Sequence, residues 1–100
     1  MNPFEKGDKA GAMLMQALQL ADSGRLSLKD LVAISEQAQA VGDLQGVVSL
    51  YQRWLARTSD PMAYVAWFNL GAILQSVGLR LQAIEAYQGC LALVRCFRLQ

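Results

Sequence analysis

Slid by 36 residues, the chain matches itself. The segment QAVGDLQGVVSLYQRWLA, from Gln39, falls on QSVGLRLQAIEAYQGCLA, from Gln75, with identities at 39/75, 41/77, 42/78, 51/87, 52/88, 55/91 and 56/92. Leu31 stands opposite Trp67, and Ile34 opposite Leu70. A period in the range of roughly 20 to 50 residues marks a supersecondary unit that cannot cover its own apolar face and stacks on its neighbours. That constraint leaves few architectures open.

Apolar periodicity says what the unit is made of. Residues 10, 14, 17, 18 and 21 share one helical face, and DSGR at 22–25 ends that helix. Ser27 followed by Asp30 predicts an N-cap, with Leu28, Leu31, Val32, Ile34, Ala38 and Val41 behind it at helical spacing. Gly42 is expected as a left-handed stop and Asp43 as the next cap, for a third helix from Leu44 to Ala56. Asp60 and Pro61 read as N-cap and first turn of a fourth helix, Pro61 to Val77, stopped by Gly78. A fifth starts near Arg80 and runs past Val94. Links this short make neighbouring helices antiparallel. No alternating strand pattern occurs, so the fold class is all-α: antiparallel helical hairpins stacked as a short superhelix of about five helices.

Within the second copy, Trp67, Leu70, Gly71 and Leu74 form a stripe on the first helix, and Ala83, Tyr87 and Leu91 one on the second. Gly71 and Ala83 are small where two backbones come close, and Tyr87 fills the space beside them. Gly71→Leu is therefore expected to lower the melting temperature well beyond Gly89→Ala.

These residues resemble the tetratricopeptide repeat (TPR). Its pattern W-x2-L-G-x2-Y, followed by small and aromatic residues on a second helix, is met at Trp67, Leu70, Gly71, Ala83 and Tyr87. Leu74 replaces the usual tyrosine, and Arg95 stands where a proline would end the second helix. The earlier copy is degenerate, with Ser35 at the glycine position, Val47 at the small one and Trp54 at a further small one. The resemblance implies a single TPR-like domain over residues 1–100. It comprises an N-terminal helix at 8–22, a degenerate repeat at 28–58 and a well-matched repeat at 61–95.

In that family the first helix of each hairpin lines an inner groove. The corresponding face carries Val65, Phe68, Asn69, Ala72 and Gln75 in the second copy, and Lys29, Val32 and Glu36 in the first. The implied function is a non-catalytic scaffold module binding a protein or peptide there. AWFNLGAILQSVG, after a hairpin ending in YQRWLARTSDP, also resembles the N-terminal repeats of bacterial SPINDLY-type proteins, relatives of O-linked N-acetylglucosamine transferase. In those proteins the repeats present substrates to a glycosyltransferase domain, for which this chain has no room. That resemblance implies a fragment or truncated relative. Its alternative is a self-associating unit, since CLALVRCFRLQ continues an apolar helix with no polar cap. Leu91, Val94 and Phe97, with Leu99, are expected on the exposed face, covered by a second copy in a homodimer.

Other function classes fit poorly. The chain has no histidine, and its carboxylates at Asp22, Asp30, Glu36 and Asp43 are scattered, so no enzyme and no catalytic residue is expected. Two cysteines, Cys90 and Cys96, cannot complete a zinc site, and neither metal nor cofactor is expected. Unpaired, they suit a reducing cytoplasm. A net charge of +1 gives no field for nucleic acid, and no apolar run is long enough for a membrane span. Acidic and amide side chains in the first 24 residues argue against a signal peptide.

Overall fold

The structure is a computed structural model that describes the backbone of residues 3–98 and the side chains of residues 11–95. Among the described residues there are five α-helices and no strand: α1 Pro3–Asp22, α2 Leu28–Ala40, α3 Leu44–Arg57, α4 Ala63–Ser76 and α5 Arg80–Arg98. The class is all-α, built of helical hairpins. Helices α1, α2 and α3 form one compact unit and α4 with α5 another, divided between Arg57 and Thr58.

Three connections are made the same way. Gly24, Gly42 and Gly78 adopt φ of 72°, 82° and 83°, a region closed to most side chains. At each, the following residue reaches back five positions: Arg25 N donates to the Leu20 carbonyl at 2.8 Å, Asp43 N to Ala38 at 3.0 Å and Leu79 N to Leu74 at 2.9 Å. Carbonyls orphaned at the helix end are thereby satisfied, and the chain turns back. The helix starts use short polar side chains. Ser27 Oγ accepts from Asp30 N at 3.1 Å, and Asp43 Oδ1 accepts from Gly46 N at 3.0 Å.

Two boundaries differ from the sequence reading. Helix α1 begins at Pro3, well before residue 8, because proline's fixed φ suits a first helical turn and a glycine within a helix weakens it without ending it. Helix α4 begins at Ala63 and not at Pro61. Asp60 Oδ1 takes the nearer amide of Met62 at 2.8 Å, and the Asp60 carbonyl accepts from Ala63 N at 3.0 Å, so a tight turn precedes the helix. Met62, the N-cap, makes no side-chain cap.

In the first unit α1 packs on both α2 and α3, which pack on each other. Leu14, Ala17 and Ala21 from α1, Leu31 and Ala38 from α2, and Val47, Leu50, Tyr51 and Trp54 from α3 are buried. Ser35 is the buried polar residue among them. Its Oγ lies 2.8 Å from the Val32 carbonyl, to which it donates, and 3.2 Å from Tyr51 Oη. With its single proton so used, the serine accepts from the tyrosine hydroxyl. Trp54 Nε1 donates to the Leu26 carbonyl at 2.7 Å, tying α3 to the α1–α2 connection. Arg53 and Asp22 form an exposed ion pair at 3.3 Å, worth little because water competes for both charges.

The second unit is the α4–α5 hairpin. Ala63, Ala66, Leu70, Gly71, Ile73 and Leu74 are buried on α4, and Ala83 and Ala86 on α5. Small residues let the two backbones come close. A Cβ on Gly71 would stand 2.7 Å from Tyr87 Cε1, and one on Gly89 would stand 2.8 Å from Trp67 Cδ2. Gly89 is thus a packing position as tight as Gly71, which overturns its use as a benign reference. Gly11 serves that purpose better, since nothing lies within 4 Å of an added Cβ. Gly11→Ala, in the exposed interior of α1, should gain about 0.8 to 1.0 kcal/mol from helix propensity. A urea titration in which Gly11→Ala is less stable than wild type would show a contact there.

The 36-residue shift now has structural content. It maps buried Ser35 on Gly71, Ala38 on Leu74, Val47 on Ala83 and Leu50 on Ala86, each buried in both copies. Tyr51 maps on Tyr87, the first buried and the second half-buried.

Candidate functional site

The face of α4 opposite its buried residues is the outward side of that helix. Leu70, Leu74, Ala66 and Ile73 occupy one side, and the i, i+3, i+4 spacing carries Val65, Phe68, Asn69, Ala72, Gln75 and Ser76 along the other. Phe68, Ala72, Gln75 and Ser76 are exposed, while Val65 and Asn69 are half-buried. Phe68 is the feature that stands out, being 56% exposed. Its ring centroid lies 5.7 Å from that of Tyr87, tilted by 56°. Such a tilted contact is favourable for two quadrupoles and restrains an otherwise mobile ring. Tyr87 is itself held, its hydroxyl donating to Gln75 Oε1 at 3.0 Å. Three groups therefore form one connected cluster: an exposed aromatic, a bracing aromatic and a terminal amide.

The corresponding residues of α2 lie on one face of their helix, opposite Leu31, Ser35 and Ala38. Lys29, Ala33, Glu36, Gln39 and Ala40 are exposed and Val32 is half-buried. This stripe has no exposed aromatic. Its opposite charges at Lys29 and Glu36 leave it close to neutral.

Helix α5 carries a second candidate surface. Leu81, Ile84 and Leu91 are 79%, 50% and 56% exposed on the side away from Ala83 and Ala86. Val94 is half-buried, and the side chains of Phe97 and Leu99 lie outside the described residues. Sequence reasoning that began at the chain's apolar end included Leu91 and passed over Leu81 and Ile84. Their signal was the three- and seven-residue spacing from Leu81 to Ile84 and from Ile84 to Leu91, a helical stripe displaced from the buried alanines.

The repeat-defining residues take the following places: Leu70, Gly71 and Ala83 are buried, and Trp67 and Tyr87 half-buried. Cys90 is a free, half-buried thiol. Among the described residues, no group of three or more His, Cys, Asp or Glu stands together to hold a metal ion, and no helix is long and apolar enough to cross a membrane. No protein-family model, curated protein or solved structure matches this chain.

Proposed function

We propose that the chain is a non-catalytic scaffold module of tetratricopeptide type, in which the outward face of a hairpin's first helix takes a protein or peptide segment. The observation that carries this reading is Phe68, a large aromatic left exposed on α4 and braced by Tyr87. Interfaces draw most of their binding energy from a few such preorganised aromatic anchors, because little side-chain entropy remains to be lost on contact. Gln75, beside it on the same face, keeps its amide N–H groups to donate to a peptide carbonyl while its oxygen holds Tyr87, and Asn69 brings a second amide. Val65 and Ala72 would give low-profile apolar contact on the same face of α4, and Lys29, Val32 and Glu36 form the corresponding stripe on α2. On this reading the 36-residue repeat is the module's hairpin unit, and Gly71 with Tyr87 sets the spacing within the α4–α5 hairpin.

The test is a selection from a displayed library of extended peptides, followed by titration against Phe68→Ala and Asn69→Ala. Loss of the Phe68 anchor should weaken the selected peptide by about 2 kcal/mol, roughly thirtyfold. Circular dichroism should stay unchanged, because the substituted ring is already exposed. Selected peptides that bind the double variant undiminished would move the site elsewhere.

The likeness of AWFNLGAILQSVG to SPINDLY-type repeats extends the proposal to a broader setting, in which this module belongs with a glycosyltransferase domain and presents substrates to it. A glycosyltransferase reading frame adjoining this one in the genome would support that setting, and an unrelated neighbour would remove it. The free Cys90 accords with a cytoplasmic location.

A further inference from the structure

We propose that the outer face of α5 binds the same face of a second copy of this chain, with the two α5 helices side by side and parallel. Leu81, Ile84, Gln88, Leu91 and Arg95 succeed one another at steps of three, four, three and four, and all five are exposed. Strict alternation of this kind makes the narrow seam of a two-stranded coiled coil, whereas a helix laid on a globular core shows a wider stripe. On the opposite side Ala83 and Ala86 are buried and α5 is packed on α4. The helix is therefore formed before it meets a partner, and pairing carries no nucleation cost. Val77 and Leu79, on the connection ahead of α5, are exposed as well.

Charge selects the occupant and its direction. Arg80 and Glu85, both exposed, flank the seam on opposite sides, five positions apart. In a parallel pair that interval sets Arg80 of each copy beside Glu85 of the other, so the two-fold axis generates two opposite-charge contacts from one sequence. An antiparallel pair centred on Gln88 brings Glu85 level with Leu91 and leaves both charges unmatched. At the centre of the parallel seam Gln88 meets its own copy, and two amides hydrogen-bond across the axis. A polar layer of this kind fixes register at some expense in affinity. Arg95 falls at the next seam position, where like charges meet and the pairing ends. The apolar layers are thus Leu81, Ile84 and Leu91, on a helix other than the one that carries Phe68. Loss of this interface would leave the peptide groove standing, and the reverse also holds.

Sedimentation of the full chain across a concentration series to high micromolar should show a monomer–dimer equilibrium. Leu81→Glu combined with Ile84→Glu should give a monomer with unchanged circular dichroism, since both side chains are exposed in the isolated chain. Arg80→Glu alone and Glu85→Arg alone should each weaken self-association roughly tenfold at low salt, as two attractive contacts turn repulsive. An equimolar mixture of those two variants should regain association, because every flanking contact is again between opposite charges. A wild-type chain that stays monomeric, a dimer that survives the double glutamate change, or a mixture no tighter than its components would each overturn the proposal.

Discussion

Trp54→Ala is expected to cost about 3 to 5 kcal/mol, a large share of the about 5 to 15 kcal/mol that small domains have in hand. The indole is buried in α3, and its Nε1 donates to Leu26 at 2.7 Å across the α1–α2 connection. Truncation therefore leaves a cavity and an unpaired carbonyl together. Trp54→Phe separates the two: it keeps most of the ring and should lose only about 1 to 3 kcal/mol for the stranded acceptor. Trp67 is the other tryptophan of the chain and lies in the α4–α5 hairpin, so its fluorescence in the Trp54→Ala variant reports that hairpin alone. Guanidinium titration followed by both circular dichroism and Trp67 emission should show helicity lost early and emission changing later. A Trp54→Ala protein within about 1 kcal/mol of wild type would mean that the indole does not hold the three helices together.

Gly71→Leu is expected to cost about 3 kcal/mol, the upper end of the usual overpacking range. Even the first added carbon would meet the Tyr87 ring at 2.7 Å, and that ring is fixed by its bond to Gln75 and its contact with Phe68. Gly89→Ala should also destabilise, by about 1 kcal/mol. Its Cβ would press on the Trp67 ring, and the roughly 1 kcal/mol gained in helix propensity offsets only part of that strain. The stability order should be Gly11→Ala, wild type, Gly89→Ala, Gly71→Leu. Thermal melts that place Gly71→Leu level with wild type would show that α4 and α5 do not need a glycine between them. Gly71→Leu should also displace the Tyr87 ring and weaken peptide capture at Phe68, coupling the hairpin's packing to its proposed function.

Much of this architecture was legible in the chain itself because its signals are local. Gly42 and Gly78 announce left-handed stops, and the structure has them at φ of 82° and 83°. Ser27 and Asp43 announce caps, which depend only on a side-chain oxygen within three residues of an amide. The α4 stripe that the repeat resemblance named also lies on one side of the helix, since residues at i, i+3 and i+4 must share a side whatever they pack against.

Other features were decided by tertiary structure, where a residue's role depends on what lies across from it. Ser35 reads as a flaw in the repeat until Tyr51 is placed 3.2 Å from its hydroxyl, where the bond replaces the space that glycine provides in the other copy. Trp54 reads as too large for its position until Leu26 supplies an acceptor 2.7 Å from its indole nitrogen. Gly89 is one glycine among eight in sequence and becomes a contact only because Trp67 stands over it. Leu81 and Ile84 have ordinary helical spacing; their exposure follows from Ala83 and Ala86 being the side of α5 that α4 covers. Periodicity divides a helix into faces, and only the neighbouring helix determines which of them is buried.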